Sequence, residues 1–174
     1  MSFIYIETPV FELKEALLEE AGLRLFIKRE DLNHPEIAGN KWWKLKYNIA
    51  EALNLNCETL LTFGGAYSNH IYATAAAALE TGLKSIGIIR GEETLPLNST
   101  LSFAKMKGMQ LHYISREEYR HKTEEEFIKN LRRQFGHFYL IPEGGSNELA
   151  VKGCAEFGVN LLSEIHFDYV CLPV

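Results

Sequence analysis

The sequence is short of the features that mark several common protein classes. Three cysteines, Cys57, Cys154 and Cys171, are odd in number, far apart and without a C-x-x-C pair. This spacing speaks against a disulfide framework or a cysteine-based metal knuckle. It predicts reduced, mostly buried thiols in a cytoplasmic protein. No apolar run is long enough to span a bilayer. The start, MSFIYIETPVFEL, has no positive leader ahead of an apolar stretch, so no signal peptide is expected. Basic blocks are absent and the formal net charge is −5, which argues against nucleic acid as the main partner. His34, His70, His112, His121, His137 and His166 form no H-E-x-x-H or Cys/His cluster, so no metal site is expected. There is no G-x-S-x-G elbow, no G-K-[ST] after a glycine turn and no G-x-G-x-x-G.

What is present reads as an α/β protein of one domain or two small lobes. Short apolar or β-rich runs, LRLFIKRE (23–30), TLLTF (59–63), SIGIIR (85–90), MQLHYI (109–114), HFYLI (137–141) and FDYVCLPV (167–174), predict strands. Helices are predicted between them, over the alanine-rich 69–80, over 100–107 and over about 147–165. Ser115 with Glu118 and Thr123 with Glu126 have the spacing of capping boxes. Gly82, Gly108 and Gly136 stand where helices should end. Alternating strands and helices predict an open, mainly parallel twisted sheet with flanking helices, whose ligands gather at the carboxyl ends of strands. FDYVCLPV reads as a buried strand, and the chain looks like the front portion of a longer protein.

Three stretches carry candidate chemistry. In GNKWWKLKYN (39–48), Lys41, Lys44 and Lys46 crowd the start of a helix, where the macrodipole disfavours positive charge. One reading is three solvated lysines with Trp42 and Trp43 packed inward. The other is an amine nucleophile: burial, a neighbouring cation and a helix N-terminus each favour the neutral amine that attacks an aldehyde. With Asn40 as cap, Lys41 takes the first helical position and Lys44 lies on the same face. Lys44 then needs an anion, such as a cofactor phosphate. In TFGGAYSNHIYATAAAALE, a strand runs through Gly64-Gly65 to Ser68, Asn69 and His70. This is either a capped helix start, with Ser68 or Asn69 as cap, or an anion-facing turn. IPEGGSNELA repeats the arrangement with Glu143, Gly144-Gly145 and Ser146-Asn147, and the same two readings apply.

KREDLNHPEIAGNKWWKLKYN followed by GGAYSNHIYATAAAA resembles the 1-aminocyclopropane-1-carboxylate deaminase/D-cysteine desulfhydrase family, fold-type II enzymes dependent on pyridoxal 5'-phosphate (PLP). The TPV start and the PEGGSN turn extend the resemblance over nearly the whole chain. It implies a tryptophan-synthase-β-like fold, apparently truncated, with 1–44 and 146–174 in a large PLP-binding domain and 45–145 in a small α/β domain. It implies that Lys41 forms the imine with the cofactor, that Lys44 contacts its phosphate and that Asn69 bonds its ring hydroxyl. Ser68 would stand beside the substrate as a catalytic group. Ser68, Asn69 and His70 would receive the substrate carboxylate, the His70 side chain either taking part or packing near the helix start. Lys46 is left as a solvated charge. The implied reaction is deamination or desulfhydration of a small amino acid, giving ammonia and a 2-oxo acid, in a cytoplasmic homodimer. The chain departs from the family pattern at Tyr67, where Gln is frequent, and at Trp43, where Arg is frequent. Its resemblance covers about the first half to three-fifths of a family member and stops before the Gly/Thr-rich phosphate loop. Two alternatives follow: a non-catalytic remnant or fragment, and a serine/threonine dehydratase-like or cysteine-synthase-like enzyme.

Overall fold

The computed structural model describes residues 4–172. The chain opens with an antiparallel hairpin, β1 (Val10–Leu13) and β2 (Leu25–Lys28), with the short helix α1 (Ala16–Glu20) between the strands. A 3-10 turn at Glu30–Leu32 leads to α2 (Asn40–Asn54). Then β3 (Thr59–Gly65), α3 (Asn69–Glu80), β4 (Lys84–Arg90), α4 (Ser99–Met106), β5 (Gln110–Ile114), α5 (Arg116–Tyr119), α6 (Glu125–Phe135) and β6 (Tyr139–Ile141) follow. A second 3-10 turn, Glu143–Gly145, precedes α7 (Glu148–Glu164). The four central strands pair in the order β5-β4-β3-β6, all parallel. The open parallel sheet with flanking helices is therefore as the sequence predicts, and the hairpin forms its own antiparallel pair.

The period of two along each strand sorts side chains to the two faces of the sheet. On one face Leu61, Phe63, Ile86 and Ile88 meet Tyr119 of α5, Leu131 of α6 and Phe138. On the other, Leu60 and Ile141 join α3 and the α2 residues Trp42, Trp43, Leu45, Ile49 and Ala52, while Ile89 meets Ile71, Ala75, Leu101 and Ala104. The alanines of α3 suit this crowding: they favour helix and let a helix buried on nearly every side approach its neighbours. No described helix is long and apolar enough to cross a membrane.

The predicted strands over 59–63, 85–90, 109–114 and 137–141 form at about those places, and α3 spans the predicted 69–80. Ser115 and Glu118 make the reciprocal capping box. Gly82, Gly108 and Gly136 stand at the ends of α3, α4 and α6 with positive φ. Four readings need correction. Thr123 and Glu126 make no capping box: Glu124 is the N-cap of α6, with no side-chain cap. Arg133, on the same helix, takes the Glu126 carboxylate at 3.3 Å. Gly39, not Asn40, precedes the first residue of α2, at φ 67°. Its N–H donates to Asn33 Oδ1 at 3.0 Å and its carbonyl accepts from Asn33 Nδ2 at 3.2 Å. This clamp holds the backbone in a region open to glycine and starts the helix one residue earlier. FDYVCLPV forms no strand over its described part, 167–172; Tyr169 is 89 % and Leu172 72 % exposed. A strand exists through lateral pairing, and none of the six described strands pairs with this segment. Pro173 and Val174 lie outside the described residues. Finally, of the thiols Cys57 is buried, Cys154 half-buried and Cys171 exposed.

The tightest contact between helices is that of α7 on α2. A Cβ at Gly153 would overlap the carbonyl oxygen of Trp43, whereas one at Gly158 would meet nothing within 4 Å. Glycine at both positions carries the helix-interior cost, so two alanine substitutions separate packing from propensity. Gly153→Ala is expected to destabilise by about 1–3 kcal/mol, the range for overpacking. Gly158→Ala is expected to stabilise by about 0.5–1 kcal/mol. Urea midpoints of the two variants check this; equal shifts of the same sign would show that the helices have room to part.

Candidate active site

The first turn of α2, the first turn of α3 and the start of α7 converge on the turn at Glu143–Gly145. Lys41, the second residue of α2, donates from Nζ to Gly144 O at 3.3 Å. Lys44 reaches the same carbonyl at 3.5 Å and Ser146 Oγ at 3.4 Å. Neither lysine has a carboxylate partner among the described residues. Two ammonium groups thus share one carbonyl beside three helix N-termini, whose free N–H groups and dipoles add positive potential. Neither α2 nor α3 carries an acidic residue in its first turn. Burial first, and the Lys44 charge second, lower the pKa of Lys41 below the ordinary lysine value.

Lys46 behaves differently from its neighbours. Its Nζ bonds both oxygens of Glu156 at 2.6 and 2.7 Å and lies over the rings of Trp42 and Trp43. It is a partly covered ion pair between α2 and α7, not the solvated charge expected. Trp42 and Trp43 are packed inward at 5 % and 3 % exposure, with Trp43 Nε1 donating to Glu30 Oε2 at 2.7 Å. Glu30 also accepts from Tyr5, Thr8 and Asn33. The acidic residue of KREDL therefore ties the N-terminal segment to the start of α2.

Ser68 caps α3, its Oγ accepting from Ile71 N at 3.3 Å, which leaves the hydroxyl hydrogen available to an incoming acceptor. Gly64 permits this turn: a Cβ there would come within 2.8 Å of Ser68 Oγ. Asn69 opens α3 and is exposed. His70 is 1 % exposed. Thr62 donates its hydroxyl hydrogen to Ile141 O at 2.8 Å, so at 2.8 Å from His70 Nε2 it accepts. That direction fixes the imidazole as the Nε2–H tautomer. Nδ1 is left buried, without a partner among the described residues, and the ring packs on Gly145, where a Cβ would come within 3.1 Å of Cε1. Burial, then the charges of Lys41 and Lys44, push the His70 pKa down to about 3.

The structure therefore gathers Lys41, Lys44, Ser146 and His70 around Gly144 and Gly145. Ser68 and Asn69 are joined to this turn through His70 and have no bond to either lysine. Two residues not singled out in the sequence complete the arrangement. Thr62 orients His70. Asn48, with 0 % exposure, donates to Lys44 O at 2.8 Å and to Asn147 Oδ1 at 3.1 Å and accepts from Asn147 Nδ2 at 2.7 Å. Asn147 Oδ1 also caps α7 through Ala150 N at 2.9 Å. The signal for Asn48 is a polar residue amid Leu45, Ile49 and Ala52 on the buried face of α2; Thr62 has no such signal, because threonine is ordinary in a strand.

These residues fit a ligand with an aldehyde and an anionic group. A lysine held toward its neutral form could supply the nucleophile, and a second ammonium with a hydroxyl and a helix N-terminus could supply an anion site. Comparison with known proteins agrees. The family described as "Pyridoxal-phosphate dependent enzyme" matches residues 1–174. A putative 1-aminocyclopropane-1-carboxylate deaminase of Thermotoga maritima is 40 % identical over 149 residues, 84 % of this chain and 47 % of that protein. The bifunctional D-cysteine desulfhydrase/1-aminocyclopropane-1-carboxylate deaminase of Arabidopsis thaliana, a mitochondrial protein, is 32 % identical over 95 % of this chain and 43 % of its own. A crystal structure of an ACC deaminase homologue superposes with a TM-score of 0.78 at 30 % identity, over 94 % of this chain and 50 % of that one. A fungal L-serine ammonia-lyase from Rhizomucor miehei, at 15 % identity and a TM-score of 0.62 over 92 % of this chain and 47 % of its own, shares the fold. The chain spans about half the length of the curated relatives it matches. With its parallel sheet and its lysine turn, the chain belongs to the pyridoxal-phosphate-dependent enzyme family.

Proposed function

We propose that this chain carries the lysine-bearing half of a deaminase or desulfhydrase site for a small amino acid, of the 1-aminocyclopropane-1-carboxylate or D-cysteine type. The observation that carries this reading is the pair Lys41 and Lys44 on one carbonyl oxygen with no carboxylate to neutralise them among the described residues. Lys41 is the amine nucleophile, and Lys44 with Ser146 holds the cofactor phosphate. Asn69, exposed at the start of α3, meets the ring hydroxyl. When bound, pyridoxal phosphate supplies the electrophilic aldehyde and the electron sink. The neutral amine of Lys41 is also the group placed to take and return a proton at a substrate carbon. The first N–H groups of α3, with the Ser68 hydroxyl as donor, receive the substrate carboxylate, and the neutral His70 ring leaves that anion uncontested by a further cation. The products are ammonia and a 2-oxo acid. The same reading places 1–44 and 146–174 in a large domain and 45–145 in a small one, which agrees with a central sheet lying wholly within 59–141. It includes a homodimer and a cytoplasmic location.

A second reading, a non-catalytic fold that keeps the lysine turn, is favoured by the bonds that Lys41 and Lys44 already make to Gly144 O and Ser146 Oγ. Borohydride reduction in the presence of pyridoxal phosphate separates the two. The first reading expects the pyridoxyl group on Lys41 by peptide mapping, and loss of both this label and the visible absorbance band in Lys41→Ala. Labelling spread evenly over exposed lysines such as Lys84 would support the second. Lys44→Gln removes the neighbouring charge that lowers the Lys41 pKa, so the labelling rate of Lys41 is expected to shift to higher pH. Loss of one charge-assisted bond, about 1.5–3 kcal/mol, is expected to weaken phosphate-dependent binding roughly 10- to 100-fold.

His70 gives a separate expectation. Its folded pKa lies near 3 against an ordinary 6.5, so the unfolded chain takes up a proton first as the pH falls. The stability it contributes is complete above about 6.5 and is lost between there and about 3, on the order of several kcal/mol. His70→Gln keeps a donor toward Thr62 and removes the titration. Urea midpoints at pH 7 and pH 4 should therefore lie closer together in His70→Gln than in the wild type; an unchanged gap would mean that the imidazole titrates freely in the folded protein.

A further inference from the structure

Asn98 stands half-buried at the N-terminus of α4, and its side chain bonds in two directions. Oδ1 accepts from Leu101 N at 2.9 Å and caps the helix. Nδ2 donates to the carbonyl of Ala66 at 2.9 Å, 32 positions back along the chain. Ala66 lies in the turn from β3 to α3 that presents Ser68 and Asn69. Within this turn Ser68 N donates to Gly65 O at 3.1 Å. Among the described residues, the bond from Asn98 is the one side-chain hydrogen bond that residues 66–68 receive from outside the turn and α3.

The helix that carries Asn98 is itself fixed on α3. Tyr72 and Phe103 stack with ring centroids 3.6 Å apart and planes 8° from parallel. Leu101 and Ala104 pack with Ile71 and Ala75. Lys107, at the other end of α4, pairs with Glu36 at 2.6 Å. The peptide between Ala66 and Tyr67 is trans, so its C=O and N–H point in opposite directions. Holding the Ala66 carbonyl toward α4 therefore turns the Tyr67 N–H away from α4. On α3, the side away from α4 is that of α2, which packs on Ala73, Ala76 and Ala77 and carries Lys41. The N–H groups of Tyr67, Asn69 and His70 have no acceptor among the described residues.

We propose that Asn98 is a positioning residue for the substrate carboxylate. It does not touch the substrate; by gripping Ala66 O it fixes the turn so that the N–H groups of Tyr67, Asn69 and His70 face one carboxylate together. Asparagine suits both tasks, because aspartate or serine caps a helix equally well but only the amide also offers an N–H. This role rests on the reading of the start of α3 as the carboxylate site and not on Lys41.

The test uses the whole chain without pyridoxal phosphate, with propionate as a carboxylate that has no amine. Asn98→Asp and Asn98→Ser both keep an oxygen to cap α4 and lose the N–H toward Ala66. In the wild type, the amide resonances of Tyr67, Asn69 and His70 are expected to shift as propionate is added. In both variants the dissociation constant read from those shifts is expected to rise about 10-fold, while the melting temperature falls by no more than a few degrees. Hydrogen exchange at Ile71 and Tyr72, whose N–H groups bond Ser68 at 3.3 and 3.2 Å, is expected to quicken about 10-fold in both. Wild-type shifts that are absent, or confined to Gly145 and Ser146, refute the carboxylate reading and the role of Asn98 with it. Wild-type binding matched by both variants overturns the role of Asn98 alone, as does unaltered exchange at Ile71 and Tyr72, since the turn then holds itself. Loss of the cooperative melt in both variants overturns it too and makes Asn98 an element of folding rather than of positioning.

Discussion

The side chain of Asn48 makes the contact on which the site depends. Buried on the inner face of α2, it donates to the carbonyl of Lys44 and exchanges hydrogen bonds with Asn147, whose oxygen caps α7. A buried amide is costly unless its donors and acceptor are satisfied, and this arrangement of α2 against α7 satisfies them. Tyr139, at the start of β6, adds its hydroxyl at 3.3 Å. One side chain thus sets the position of the lysine-bearing helix, the start of the helix after the second glycine turn and the edge strand between them. Gly153 makes the same demand sterically, since α7 reaches this depth only where no Cβ stands before the carbonyl of Trp43.

That fixed geometry is what makes the charges consequential. Lysine side chains are flexible and strongly hydrated, and on an open surface Lys41 and Lys44 would turn away from each other into water. Here α2 points both toward Gly144 O. The folded chain holds like charges together at a place where three helix N-termini raise the potential further. Holding them costs stability and favours whatever relieves the repulsion: an anion for one lysine, loss of a proton for the other. Lys46 makes the contrast, because five residues along the same helix from Lys41 an identical side chain is neutralised by Glu156 and covers indole faces. Partner and burial, not residue type, separate the lysine held in an ion pair from the two held on a carbonyl.

The parts of the fold legible in the sequence are those set by local pattern. The apolar runs of β3 and β4 are buried on both faces, the alanines of α3 allow little but a packed helix, and Ser115 with Glu118 closes a box within one turn. The readings that fail depend on residues outside the local window. Asn40 has the chemistry of a cap, but Asn33 grips Gly39 across a loop and moves the helix start. Thr123 and Glu126 have the spacing of a box, but Arg133 competes for the carboxylate. At the site, the lysines and the Ser68–Asn69–His70 turn stand out as residues in unusual company. Asn48 and Thr62 act through partners 99 and 79 positions away, Asn147 and Ile141, and no short window along the chain contains both ends of those bonds.

The same reasoning explains why the segment 167–172 misleads. Its composition is that of a strand, yet composition only states that a stretch fits a pleated, half-buried surface once one exists. β1 and β2 have each other, and β3 to β6 have the central sheet; 167–172 has no neighbouring strand among the described residues and therefore no ladder. Helix α7 shows a similar excess, with valines and leucine where a surface helix would carry polar residues. Val151, Val159 and Leu162 on the helix and Tyr169, Val170 and Leu172 after it are thus apolar by composition and exposed in the fold, a mismatch that only the arrangement of neighbouring elements reveals.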